Sequence, residues 1–512
     1  MITRISSLTF SGIEIVDVDV QVQIEPGIPK FVIVGLADKT IAESKERVRV
    51  ALSSIGLALP AKKILINLAP ADLLKEGSHF DLAISAGILA SMRVLPREII
   101  KNYLILGELS LDGTILPVSG VLPAAIGATA RGMGIICAKQ NGSEAAWSGN
   151  DDILAPANLL ELVNHFKGTQ VLSQPIASRI DTQPKYPDFK DIRGQKLAKR
   201  AIEIAAAGGH NLLMYGPPGA GKSMLAARLP GILPELTATE ILECSTISSI
   251  AGHLQDGNLT QQRPFRAPHH TCTVAAMVGG GVGRKVKPGE ISLAHNGVLF
   301  MDEFPEFPSG VIESLRQPLE TREVFIARSG AHIRYPANFQ LIAAMNPCKC
   351  GYLNDSLKAC YKAPECASNY LSKISGPILD RFDLHIEVGT LENELIYEHM
   401  LKPSDEETSH EMAKRVKLAQ EVQIKRYDGY NIKLNNALDG QLLIDYALPD
   451  DEGRRILNEA AVKFKLSMRA YNRVLRVART IADLSASLNV KKHHISEALN
   501  YRVVDFYSLQ PA

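Results

Sequence analysis

No apolar run in these 512 residues approaches the roughly 18 that a membrane-crossing helix needs, so no membrane partner is expected. Residues 1–20 alternate polar and apolar side chains like a strand and lack the apolar stretch of about 7 to 15 residues that marks a secretory leader, which points to a cytoplasmic protein. Aromatic residues are scarce at 6%, but 46% hydrophobic and 22% charged residues exclude a disordered or fibrous chain. A repeat with a period of roughly 20 to 50 residues and low-complexity tracts are both missing, which excludes solenoids. At about 150 residues per domain, the length allows about three domains with cores of their own.

Net charge is nearly absent at +1, yet residues 412–502 carry 17 Lys plus Arg against 10 Asp plus Glu. Two readings of that region stand: a polyanion partner, or a solvated basic helical surface. Three of the seven cysteines are scattered, while Cys348, Cys350, Cys360 and Cys366 fall close together. In a reducing compartment such a cluster points to a metal before a disulfide.

Short apolar runs alternate with helical patterns over residues 1–168, predicting an α/β domain with strands at 31–36, 63–68, 104–106 and 134–138 and helices at 40–55, 80–90 and 122–131. Residues 169–188 lose that periodicity and gather Gln, Ser, Thr and Pro, as a linker does. Within 189–390 a helix at 197–207, a buried strand at 211–215, a Gly-rich turn and a helix at 224–229 form a phosphate-binding unit, and further strands are predicted at 297–301 and 339–345. Residues 391–512 read as almost wholly helical, broken by Pro403 and Pro449.

Gly216, Pro217, Pro218, Gly219, Ala220, Gly221, Lys222 and Ser223 match GxxxxGK[ST] between a strand and a helix. Glycines let successive N–H groups and the helix start face the phosphates, Lys222 supplies a point charge, and the Ser223 hydroxyl is placed for Mg²⁺. ATP and Mg²⁺ are therefore the expected ligands. A buried strand, residues 298–301, ends in Asp302 and Glu303. Such a pair alone is more often the start of a loop; downstream of the Gly-rich turn, Asp302 reads as a Mg²⁺ ligand and Glu303 as the group that polarises the attacking water. Asn346 ends another strand, where it can orient that water. Arg381, between Asp380 and Asp383, reads either as a surface ion pair or as an arginine completing a neighbouring subunit's site.

CxCx₉Cx₅C spacing of Cys348, Cys350, Cys360 and Cys366 suits tetrahedral Zn²⁺, although CxxC knuckles are commoner, and free thiols stand as the alternative. Two insertions flank the Asp302 strand. One is expected to carry Arg263, Arg266, His269 and His270. The other is a predicted hairpin, 324–328 and 332–335, with Arg328 and Arg334 near a tip that could touch DNA phosphates or simply be solvated.

These motifs, with the stretch 263–271, resemble the magnesium-chelatase-like branch of AAA+ ATPases. Together with an N-terminal half similar to a Lon-protease-type (S5 domain 2-like) domain they resemble the YifB/ComM family over nearly the whole chain. The resemblance implies a Lon-like α/β domain, a P-loop AAA+ core and a C-terminal helical lid, with Asp302 and Glu303 as Walker B, Asn346 as sensor 1 and Arg381 as the arginine finger. Sensor 2 falls on Arg469 or Arg473, with Arg469 preferred at the helix start. Residues 75–79 resemble the Lon segment that bears the nucleophilic serine, but His79 stands at the serine position beside Ser78, and the matching segment 120–124 has no lysine. Assembly or substrate contact is expected of that domain in place of proteolysis. The resemblance further implies a homo-hexameric ring and a DNA motor that drives branch migration on single-stranded or branched DNA, a helicase of recombination during natural transformation. A magnesium-chelatase-type motor subunit and a regulatory ATPase without DNA are the alternatives.

Overall fold

In the computed structural model the described residues are 2–502 without 36–38, 74, 178–185, 255–256, 260, 282–285, 329–330, 354–359, 361, 363 and 390–405. Part of the linker, Pro403 and the first residues of the predicted helical region lie outside them.

Residues 3–154 build a seven-stranded sheet in the order Lys30–Val34, Lys63–Ala69, Glu14–Glu25, Thr3–Ser11, Tyr103–Ile105, Gly134–Ile136, Ile153–Leu154. The strand-like start is in fact two antiparallel strands, Thr3–Ser11 and Glu14–Glu25, folded at Gly12. Alternation sets the faces: in Lys63–Ala69 the residues Ile64, Ile66 and Leu68 point into the core. Helix Asp81–Ser91 is apolar on nearly every side, so it runs buried through that core. Its one acid, Asp81, survives burial because Arg47 Nε donates to it at 2.6 Å.

A second sheet has five parallel strands in the order Phe265–Arg266, Val298–Met301, Gln340–Met345, Leu212–Tyr215, Leu384–Glu387. Helices cover both faces, which is why its central strands read as continuous apolar runs. On one face Leu212, Met214 and Ile342 share a single hydrophobic core with Val416 of helix Ser409–Arg426 and with Val474 and Ile481 of helix Met468–Leu484. On the other face Leu213, Leu299 and Ala343 pack with Phe304, Phe382 and the hairpin residues Val324, Ile333 and Tyr335. The helix expected at 224–229 is shorter, Lys222–Ala226, followed by a 3-10 turn at Leu229–Ile232, because Pro230 cannot donate to a continuing helix.

The insertion after the Gly-rich turn contributes helix Ala238–Ala251, started by a Thr237/Glu240 capping box. Its far end docks on the first sheet's layer. Ser249 Oγ donates to the buried Glu144 carboxylate at 2.5 Å, Gly120 N donates to Ser249 O at 3.1 Å, and Trp147 Nε1 donates to Gly257 O at 3.1 Å. The hairpin Glu323–Arg328/Ala331–Pro336 is also held there: a Cβ on Gly12 would lie 2.6 Å from Arg334 O, so this contact requires glycine.

His385, inside the sheet, is pushed down to about 3 by burial and by the cations Arg502 and Arg473. An unfolded histidine titrates near 6.5, so below that pH the unfolded chain binds a proton that the folded chain refuses. Stability carries no cost from this group above about pH 6.5 and declines as pH falls towards 3. Urea unfolding at pH 7.5 and 5.5 is expected to show a smaller pH loss in His385→Gln than in the parent; equal losses would remove His385 as the cause.

Candidate active site

Parallel strands put every residue that follows a strand on one edge of the sheet. There the turn after Leu212–Tyr215, the acids after Val298–Met301 and Asn346 after Gln340–Met345 converge. Gly219 and Gly221 have φ of +79° and +88°, and a Cβ on either would meet open space, so backbone conformation is what demands glycine. Gly216 is different, because its Cβ would sit 2.1 Å from Val388 O. Lys222 is buried. Its Nζ donates to Gly216 O at 2.7 Å, Pro217 O at 2.9 Å and Asn346 Oδ1 at 3.1 Å. Burial lowers its pKa, and Asp302 opposes that shift.

Ser223 Oγ donates to Asp302 Oδ2 at 2.6 Å, and Asp302 Oδ1 accepts Glu303 N at 2.9 Å. A hydroxyl and a carboxylate this close at the mouth of a phosphate-binding turn form an all-oxygen donor pair that fits Mg²⁺. Glu303 has a φ of +51°, strained for a non-glycine residue, and its carboxylate meets His270 Nδ1 at 3.2 Å.

His270, on the insertion before the Asp302 strand, faces Glu303. His269 packs on it with ring centroids 4.1 Å apart. Arg263 and Arg266 are also structural. Arg263 donates to Pro234 O at 2.6 Å and Asn296 O at 2.7 Å, while Arg266 pairs with Glu290 at 2.6 Å. Short-range pattern could not show this, because residues 263–271 gain their partners only when Phe265–Arg266 joins the sheet beside Val298–Met301.

Arg381, Arg469 and Arg473 do not join this group. They line one cavity of about 520 Å³ with Asn211, Asn338 and Asp383, residues that precede strands and so lie on the opposite edge. Four to six residues of strand separate the edges by about 13 to 20 Å. Asn211 Nδ2 donates to Arg381 O at 3.0 Å, and Arg473 Nη1 donates to Asp383 Oδ1 at 2.9 Å. Burial pushes the Asp383 carboxyl up, but Arg473 and His210 outweigh it and leave it well below its ordinary value.

Sulfur atoms of Cys348, Cys350, Cys360 and Cys366 all lie within 4.8 Å of one another. Tetrahedral Zn–S bonds of about 2.3 Å put sulfurs about 3.8 Å apart, so the cluster fits that ion. Its loop touches the phosphate-binding turn: a Cβ on Gly351 would lie 2.6 Å from Pro218 Cδ. Arg334 is exposed on the hairpin, its guanidinium 5.9 Å from the centre of the Phe325 ring. The side chain of Arg328 and the turn 329–330 lie outside the described residues. Ser78 Oγ donates to Glu108, whereas His79 Nε2 meets Leu8 O at 2.9 Å, so the neighbours do not face each other.

Three family models match in succession: subunit ChlI of Mg-chelatase over residues 20–141, magnesium chelatase subunit ChlI over 188–396, and its C-terminal part over 406–502. The chain is 41% identical over 494 residues to the uncharacterized protein YifB of Salmonella typhimurium, with 96% of each chain covered. It is 42% identical over 505 residues to competence protein ComM of Haemophilus influenzae, again with 96% of each covered. The magnesium-chelatase 38 kDa subunit of Rhodobacter capsulatus is 28% identical over 261 residues, which is 47% of this chain and 63% of that one. Full-length similarity of this degree, on a P-loop sheet of this geometry, makes the chain a member of the YifB/ComM family of magnesium-chelatase-like AAA+ ATPases.

Proposed function

We propose that this ATPase is a ring-shaped, homo-hexameric motor that moves branched or single-stranded DNA, driving branch migration in recombination during natural transformation. One observation carries the reading. The arginine-bearing hairpin packs Val324, Ile333 and Tyr335 into one core with Leu213, Leu299 and Ala343 of the strands that end at the phosphate-binding edge, so a shift at the nucleotide is felt at the hairpin through packed side chains. In this reading Lys222 and the N–H groups of Gly219, Gly221, Lys222 and Ser223 hold the phosphates, Pro217 and Pro218 having no N–H to offer, and Ser223 and Asp302 hold Mg²⁺, which neutralises charge on the phosphoryl oxygens. Glu303 takes the proton of the attacking water and Asn346 orients that water. Arg381, with Arg469 or Arg473 as sensor 2, serves the nucleotide of the next subunit, because all three stand on the edge remote from their own. Residues 1–168 are a Lon-like domain joined by 169–188 to the core, 189–390, and 391–512 is the lid; the first of these braces the hairpin at Gly12.

Arg334, with Arg328, is assigned to DNA phosphates, which carry no base information. Binding is therefore expected to fall steeply with salt and to show little sequence preference. Replacing both by Ala should leave basal ATP hydrolysis within about twofold while abolishing DNA stimulation and migration of a synthetic four-way junction. A parent protein with healthy ATPase that moves no three- or four-strand junction at any salt would favour a chelatase-type or regulatory ATPase.

The cysteine cluster is assigned to one Zn²⁺ per chain, fixing the loop between Asn346 and Arg381. Protein purified without chelators is expected to hold about one zinc by metal analysis, released at acid pH because thiolate ligands must stay deprotonated. Zinc-free protein with four titratable thiols would return these residues to the free-thiol reading.

A further inference from the structure

Five arginines, Arg322, Arg381, Arg469, Arg473 and Arg476, line the cavity remote from the phosphate-binding turn, with three carboxylates, Glu320, Asp383 and Asp439. Two of the carboxylates are committed elsewhere: Asp383 to Arg473 at 2.9 Å, and Asp439 to Arg476 at 3.5 Å. The third, Glu320, accepts from Arg381 Nη2. The Arg381 side chain is 8% exposed, whereas that of Glu320 is 56% exposed and stands at the rim. One further bond holds Arg381: Nη1 donates to Pro377 O at 2.9 Å, while Nε is buried without an acceptor among the described residues.

Charge makes this pair decisive. Burial acts against the Arg381 cation, as do the positive charges of Arg469, Arg473 and Arg316; Glu320, the carboxylate bonded to it, acts for it, with Glu313 as a further favourable charge. Without that carboxylate, a buried guanidinium among like charges has one neutral carbonyl to hold it and is driven from its place. Glu320 stands in the last turn of helix Arg316–Thr321, whereas Arg381 follows helix Gly376–Leu379, so the contact ties two separate elements together.

We propose that Glu320 is the positioning residue of the finger: by holding Arg381 Nη2 at the rim of the cavity it fixes where the guanidinium stands to meet the triphosphate of the neighbouring subunit. The inference rests on the trans role of Arg381 proposed above. Because Glu320 acts through Arg381, its loss should damage hydrolysis on the next subunit and leave ATP binding in its own alone.

Steady-state kinetics of Glu320→Gln, which keeps shape and loses charge, and of Glu320→Ala test this. kcat is expected to fall at least about tenfold with the KM for ATP within about threefold, and Glu320→Asp should recover part of the loss. Mixing assigns the side of the junction. Glu320→Gln protein mixed with Glu303→Gln protein should regain activity, because the second carries an intact Glu320–Arg381 pair. Mixed with Arg381→Ala protein it should regain none, since both lesions then lie on the same side. A kcat within twofold of the parent in both variants, or recovery with Arg381→Ala, overturns the assignment. An Arg381→Ala and Glu303→Gln mixture is the control. If it recovers while the Glu320→Gln mixture does not, Glu320 alone loses its role; if it does not recover, the trans reading falls and takes the inference with it.

Discussion

Glu303→Gln is expected to bind ATP as tightly as the parent and to hydrolyse it about a hundredfold more slowly or worse, the loss typical of removing a general base. Glutamine keeps the shape of the side chain and its place beside His270 but cannot take a proton from water. The phosphate-binding turn, Lys222 and the Ser223–Asp302 pair stay intact, so affinity has no reason to change. Lys222→Ala should do the opposite, removing the cation of the phosphate-binding turn and weakening binding by tenfold or more. Its three hydrogen bonds to Gly216 O, Pro217 O and Asn346 show what else goes with it, since the turn and the Asn346 strand are tied through that ammonium. Fluorescent-nucleotide titration and phosphate release, measured on both variants, separate binding from chemistry. Turnover in Glu303→Gln within a few-fold of the parent would end the water-activation role.

Arg381→Ala should cost about a thousandfold in hydrolysis, the lower end for an arginine that stabilises the transferring phosphoryl group. The sheet's geometry gives this prediction its particular form. With the two edges about 13 to 20 Å apart, Arg381 cannot reach its own nucleotide, so the loss belongs to the neighbour. Mixing Arg381→Ala with Glu303→Gln protein should restore hydrolysis at about a quarter of the sites, because a head-to-tail ring that assembles at random puts an intact Glu303 opposite an intact Arg381 that often. Native mass spectrometry would confirm that the rings mix. Mixed rings with no recovery would place Arg381 in a structural role only.

The sequence is most legible where a function lies within one short segment. Gly216 to Ser223 announces itself because the chemistry needs a curled backbone, a cation and a hydroxyl in fixed succession, and the local strand and helix supply the rest. The Asp302–Glu303 pair and the hairpin are legible for the same reason, since alternation and turn residues are short-range signals. Periodicity overextends helix Lys222–Ala226, because the apolar pattern continues through residues where Pro230 ends the hydrogen bonding.

Contacts between distant segments were decided by the tertiary structure. His270 and Glu303 come together because Phe265–Arg266 pairs with Val298–Met301, a pairing that no local pattern encodes. Ser78 and His79, adjacent in the chain, part company because one turns to Glu108 and the other to Leu8. Local pattern places Asn346 after a strand, but it shows neither the strand Leu384–Glu387 that follows Arg381 nor how the strands lie. Once Gln340–Met345 and Leu384–Glu387 both pair parallel to Leu212–Tyr215, residues at the start of a strand and residues at the end of one must stand on opposite edges. The sequence by itself thus pointed to the groups expected to hold a phosphate and to activate water against it. Strand direction, a property of the whole sheet, decided which of them share an edge and which face away from it.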